Sequence, residues 1–144
     1  MKNIKKYELT VNKTEFKESQ ISNSNDAYQY IRQFYGHDIH IYESSFILLL
    51  NRANKVTGYA KISQGGVAGT VIDFKIVLKY VIDTLASGFI IAHNHPSGNM
   101  TASPQDNEFT SRLKEICSYL DCKFMDHVIV GDTEYYSYAD NDKL

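Results

Sequence analysis

Two histidines, a serine and an aspartate lie close together between Ile90 and Asp106, in the stretch IIAHNHPSGNMTASPQD. His93 and His95 are two residues apart, and on an extended backbone such positions project to one face, so both imidazoles can point at a single ion. A third ligand must come from outside that strand. Pro96, Ser97, Gly98 and Asn99 are turn formers able to reverse the chain. Ser103, Pro104, Gln105 and Asp106 then read as the opening of a helix, which brings Asp106 back toward the histidines. Two histidines and a carboxylate leave the fourth tetrahedral position to water, the arrangement of catalytic rather than structural zinc. Zinc suits these donors best, and iron(II) uses a similar set. The plain alternative is a pair of polar residues at a strand end; the added Ser103 and Asp106 at fixed spacing favour the metal.

The elements around this stretch must deliver it. Residues 1–22 form a polar N-terminal extension in which Tyr7, Leu9 and Val11 alternate, as in an edge strand or an ordered arm. From Ser24-Asn25-Asp26, a capping residue precedes Tyr28, Ile31, Phe34 and Tyr35 at helical spacing, and Gly36 stands where a C-cap would be. His37 and His40 follow in a loop and are expected to stay outside the metal site. Ile41 to Leu50 reads as a strand whose second half is apolar on both faces, as in a sheet interior. Asn51 to Asn54 turns the chain, and Val56 to Ser63 returns it as a hairpin. Gln64-Gly65-Gly66 and Gly69-Thr70 make a glycine-containing loop that lacks the lysine of a phosphate-binding loop. Asp73 caps a helix carrying Ile76, Val77, Tyr80, Val81, Thr84 and Leu85, closed by Gly88, whose stripe is expected against the sheet. Phe89 to Ala92 then form a short apolar strand that ends at His93.

After the loop, Ser103 and Asp106 fit a capping box, with Pro104 at the favoured first helical position. That helix continues through Phe109, Leu113, Ile116, Cys117 and Leu120. Lys123 to Val130 and Thr133 to Tyr138 form a closing hairpin around Gly131-Asp132. The order helix, hairpin, helix, strand, helix, hairpin indicates a single α/β domain over residues 23–144, a mixed sheet flanked by helices.

A chain of 144 residues with 43% hydrophobic and 22% charged residues fits one soluble domain with a single core. No apolar run is long enough to span a bilayer, and the N-terminus lacks the apolar core of a signal peptide, so a cytoplasmic protein without membrane contact is expected. Lys and Arg number 15 against 17 acidic residues, for a net charge of -2. Without a basic patch, direct nucleic-acid binding is not expected. Cys117 and Cys122 lack the spacing of redox or zinc motifs; Cys117 falls on the apolar side of its helix, and a disulfide is not expected in a reducing compartment.

HxH, seven residues, Ser, two residues and Asp is the signature by which this chain resembles the JAMM metalloproteases of the JAB/MPN type. The local string HNHPSG resembles its version in bacterial RadC-like proteins. The resemblance runs from about Ser22 to Leu144, through Gly69-Thr70 upstream and Leu120, Asp126-His127 and the Tyr138 region downstream. It implies a JAB/MPN, cytidine-deaminase-like fold, and a zinc-dependent hydrolase acting on a peptide or isopeptide bond with zinc-activated water. It makes His93, His95 and Asp106 the metal ligands and assigns Glu43, at the start of its strand, as the base. Physical sense agrees: Glu43 is the strand's one acidic residue, and a carboxylate opening an apolar run is costly to bury without a partner. Glu108 and Asp38 are the fallback bases.

Ser103 either caps the helix by accepting a backbone N–H or, as the family's serine, steadies the oxyanion on the attacked carbonyl. Asp106 is expected to yield its capping role to the metal, and His127 to lie behind the ligands or in the core. Two rival functions remain: a non-catalytic, zinc-containing MPN interaction module, and a DNA repair or recombination factor. RadC-like proteins often carry an N-terminal helix-hairpin-helix region for which there is no room before Ser22. The letters HNH at 93–95 do not make an HNH nuclease, whose residues are dispersed through a ββα-metal fold. The substrate is expected to be a peptide or protein, and self-association into a homo-oligomer is compatible with the many aromatic residues.

Overall fold

The computed structural model describes residues 1–66 and 70–144, so Gly69 of the expected glycine loop lies outside the described residues. The elements follow the order read from the sequence: α1 (Ser24–Arg32), a 3-10 turn (His37–His40), β1 (Ser44–Leu50), β2 (Val56–Gln64), α2 (Phe74–Thr84), β3 (Gly88–Asn94), α3 (Pro104–Cys117), β4 (Lys123–Val130) and β5 (Tyr135–Ser137). The strands form one sheet in the order β2-β1-β3-β4-β5. β3 and β4 run parallel, joined by the α3 crossover, while the other neighbours are antiparallel. No helix among the described residues is long and apolar enough to cross a membrane.

Every residue of β1 and β3 is buried, because both strands lie inside the sheet and have helices on both faces. Alternation sorts their side chains into two layers of core. Phe46, Leu48, Leu50, Ile90 and Ala92 pack with Ala27, Tyr28 and Ile31 of α1. Ile47, Leu49, Phe89 and Ile91 pack on the other face with Val77 and Val81 of α2 and Leu113 and Cys117 of α3. Truncating a wholly buried member such as Leu48 to alanine is worth about 2–5 kcal/mol of stability.

Helix boundaries differ from expectation at four places, one of them the end of α3, which stops at Cys117 rather than running through Leu120. Asn23 rather than Ser24 caps α1, its Oδ1 accepting from the Asp26 N–H at 2.9 Å, and the helix stops at Arg32, before Gly36. α2 ends at Thr84, where Leu85 takes the left-handed conformation (φ 53°) that Gly88 was expected to supply nearby. Gly88 instead opens β3, where an added Cβ would meet Met125 Cγ at 3.3 Å and the Lys123 carbonyl at 3.4 Å. Its missing side chain lets β3 and β4 approach. The buried stripe of α2 reduces to Val77 and Val81, since Ile76 and Leu85 are exposed. In the N-terminal extension, residues 1–19 hold no regular element, and Tyr7, Leu9 and Val11 are exposed. Contact with the domain begins at Phe16, against Phe34 and Tyr59, and at the Gln20–Lys55 bridge.

Candidate metal centre

β3 carries His93 at its end and His95 just beyond it. The turn after His95 closes through the Gly98 N–H on the His95 carbonyl at 2.8 Å, with Gly98 at φ 78°. α3 then starts as its sequence requires. Ser103 Oγ accepts the Asp106 N–H at 3.0 Å, the Asp106 carboxylate accepts the Ser103 N–H at 2.8 Å, and Pro104 occupies the first turn. The capping box points the Asp106 carboxylate back over the strand end. Asp106 Oδ2 lies 3.3 Å from His93 Nε2 and 3.2 Å from His95 Nε2, and the two Nε2 atoms are 3.0 Å apart. The oxygen that accepts from Ser103 is also the one facing the imidazoles, so the cap and the two rings draw on a single atom.

Hydrogen bonds behind the rings fix which nitrogens carry protons. The Thr110 hydroxyl donates its one proton to the Asp106 carbonyl at 2.8 Å, so it can only accept from His127 Nδ1 at 2.6 Å. His127 is buried and kept neutral: burial, then the neighbouring His93, pushes its pKa well below the ordinary value. With Nδ1 protonated, His127 Nε2 must accept from His93 Nδ1 at 2.8 Å, which turns His93 Nε2 toward His95 and Asp106. On the other ring, His95 Nδ1 donates to the Asn99 carbonyl at 2.6 Å, which likewise turns its Nε2 inward. Two imidazole Nε2 atoms and a carboxylate oxygen therefore face one another at 3.0–3.3 Å.

Such a cluster requires positive charge in its midst. A tetrahedron of zinc bonds to nitrogen and oxygen has edges of roughly 3.3 Å, so this triangle fits one of its faces. The hydrogen bond to Asp106 raises the His95 pKa against the opposing effect of burial. Burial of Asp106 works against its ionisation, yet His93, His95 and the Ser103 N–H outweigh it and hold the carboxyl well below the usual range.

Glu43 stands one residue before β1 rather than inside a strand beginning at Ile41. A carboxylate oxygen of Glu43 and one nitrogen each of His93 and His95 all lie within 4.8 Å of one another. The Thr70 N–H donates to Glu43 Oε2 at 2.7 Å, and the Gly65 N–H to the Glu43 carbonyl at 2.8 Å. The residues on either side are pinned by Asn94, which alternation turns to the face opposite His93. Its amide donates to the Tyr42 carbonyl at 2.8 Å and the Ile39 carbonyl at 2.7 Å, and accepts the Ser44 N–H at 2.8 Å. Tyr35 adds a hydroxyl donated to the Ser44 carbonyl at 2.7 Å.

The fallback bases lie elsewhere: Glu108 is exposed on α3 with Arg112 4.0 Å away, and Asp38 is exposed in the 3-10 turn. His37 and His40 are also exposed, His40 being 3.8 Å from Asp132. Asp126 is a buried tie rather than a site group, accepting from the Ser137 hydroxyl and the His127 and Ala139 N–H groups. Tyr138 stacks on His127 with ring centroids 4.9 Å apart. Cys117 and Cys122 are both buried and unpaired.

The sequence gives no role to Asn94 or Thr110, and names Thr70 only as part of the glycine-containing loop and of the upstream resemblance. Only Asn94 left a signal, as the polar residue which strand alternation turns away from its histidine neighbours. A cleft of about 700 Å³ opens over the centre, lined by Glu43, His95, Ser97, Asn99, Ser103 and Asp106 among others.

The pattern of the RadC-like JAB domain matches residues 21–143. A UPF0758 protein of Flavobacterium johnsoniae is 39% identical over 120 residues, covering 83% of this chain and 52% of that protein. One of Porphyromonas gingivalis is 38% identical over 103 residues, 71% of this chain and 45% of its own length. One of Carboxydothermus hydrogenoformans is 36% identical over 132 residues, 91% of this chain and 55% of its own. The chain thus spans about half the length of these relatives.

Proposed function

Since this chain belongs to the RadC-like JAB family, we propose that it is a zinc-dependent metallohydrolase of the metallopeptidase type, cleaving a peptide or isopeptide bond. The observation that carries the reading is the convergence of His93 Nε2, His95 Nε2 and Asp106 Oδ2 at 3.0–3.3 Å from one another, with a Glu43 carboxylate oxygen within 4.8 Å of a nitrogen of each ring. These three residues would hold the ion. When bound, zinc supplies Lewis acidity to a carbonyl oxygen and makes water a nucleophile near neutral pH.

Glu43 does the proton work. Its carboxylate takes a proton from the attacking water and returns it to the leaving amine, a general base that turns general acid within one cycle. The Thr70 N–H holds Glu43 Oε2, and Glu43 lines the cleft. Ser103 Oγ accepts the Asp106 N–H and so keeps its own proton to donate to the oxygen of the tetrahedral intermediate. The cap and the oxyanion roles, alternatives in the sequence, are compatible uses of one hydroxyl.

The test is metal content together with hydrolysis of peptide- and isopeptide-linked substrates by the wild type and Glu43→Gln. The wild type is expected to bind one zinc and turn over. Glu43→Gln keeps the zinc and loses at least a factor of about 10²–10⁴ in rate. Equal rates in the two proteins remove Glu43 from the chemistry, and zinc binding with no hydrolysis by either favours a non-catalytic MPN module.

A further inference from the structure

A second cavity of about 320 Å³ opens beside the centre, between the start of α2 and the first turns of α3. It shares Thr70, Val71, Gln105 and Asp106 with the cleft over the imidazoles, so the two are continuous. Its character differs from that of the cleft. Phe74 and Phe109 stack with centroids 5.1 Å apart and planes 9° from parallel, and Ile72 lies alongside. Phe109 also sets its ring against His127, at 5.8 Å. Arg112 lays its guanidinium over Phe74 at 5.1 Å from the ring centroid, which keeps its charge at the outer end. Val71, at the junction of the two spaces, is 88% exposed.

We propose that this cavity is a specificity subsite that takes one bulky apolar side chain, aromatic or long aliphatic, from the substrate residue beside the cleaved bond. The inference rests on the hydrolase reading above and adds the substrate class. Three features select that occupant. Ile72, Phe74 and Phe109 give this cavity an apolar wall that the neighbouring cleft lacks, beside the charged Glu108 and Arg112, so an apolar group gains there. Asp106 and Glu108 in the lining disfavour an acidic side chain, and the cation of Arg112 already covers one face of Phe74. Continuity at Asp106 means that a side chain seated here leaves its own backbone in the cleft beside Glu43 and Ser103, and covers the ligand carboxylate from water. Seating the residue and presenting its amide are then one event.

The experiment uses the full chain, zinc-loaded and carrying Glu43→Gln so that bound peptides survive, against a random-sequence peptide library. It is followed by calorimetry on a matched peptide pair with Phe or Ser at the selected position. Retained peptides are expected to share Phe, Leu or Met at one position, with the Phe peptide bound roughly 10- to 200-fold more tightly. Val71→Asp, a change at an exposed position that threatens no core contact, is expected to remove most of that ratio. Equal affinity within the pair, selection of a basic residue, retention of no peptide, or a ratio unchanged by Val71→Asp each overturns the subsite. Cleavage of library peptides by the wild-type protein without apolar preference would sink the subsite while leaving the hydrolase reading intact.

Discussion

On the side of the sheet covered by α2 and α3, β3 presents an imidazole; on the side covered by α1, one residue later, it presents an amide. Both residues are buried, His93 at 2% and Asn94 at 0% exposure, and both are hydrogen-bonded, but to different ends. His93 is the front of a chain through His127 and Thr110 that settles a tautomer. Asn94 ties down the backbone at Ile39, Tyr42 and Ser44 and so fixes where Glu43 stands. One face orders the rings and the other places Glu43, with alternation along a single strand dividing the labour.

That division breaks most visibly at Asn94. Asn94→Ala strips three hydrogen bonds from buried groups, which is expected to cost about 2–4 kcal/mol in denaturant unfolding. A base shifted by even an ångström is expected to lower kcat roughly 100-fold, with zinc affinity little changed. If affinity falls as far as kcat, the two faces are not separable. Ser103→Gly probes the opposite face: glycine caps a helix nearly as well, so stability should drop by only a few tenths of a kcal/mol. The lost hydroxyl should lower kcat by about 10²–10³; a loss in proportion to stability would reduce Ser103 to a cap. His127→Phe keeps a ring against Tyr138 but removes the acceptor behind His93, and zinc affinity measured by competition is expected to fall about 10- to 100-fold. With saturating zinc, kcat should recover.

The smallest effect lies farther from the centre, on the same face. Burial, then Cys117 and Asp121, push the Cys122 thiol up from 9.0 to about 11. Below that pH the reactive thiolate is scarce, so alkylation near pH 8 should run about a hundredfold slower than at an ordinary thiol and quicken only as pH rises toward 11. Fast labelling at pH 8 would show that the α3 end of this face opens readily.

Much of this arrangement was legible because local chemistry and tertiary role coincide. Ser103-Pro104-Gln105-Asp106 announces a helix start whatever surrounds it, and the same capping geometry turns Asp106 toward the histidines. The apolar run in β1 announces burial on two faces. Glycines misled the reading because their reasons lie outside their own segment: Gly88 answers to Met125 and Lys123 on β4, while Leu85 accepts the left-handed conformation itself. Asn94 and Thr110 were illegible for a related reason. A buried amide or hydroxyl becomes functional only through partners far along the chain, 50 residues away for Ser44 and 17 for His127, and hydrophobic periodicity carries no record of such pairings.

Asp106 Oδ2 answers at once to its own helix and to the two rings opposite. The backbone therefore holds the carboxylate in place by itself, so a cation arriving there would need little rearrangement. Exchanging one divalent ion for another at such a centre would leave the helix start where it was, and the scaffold would outlast the identity of its guest.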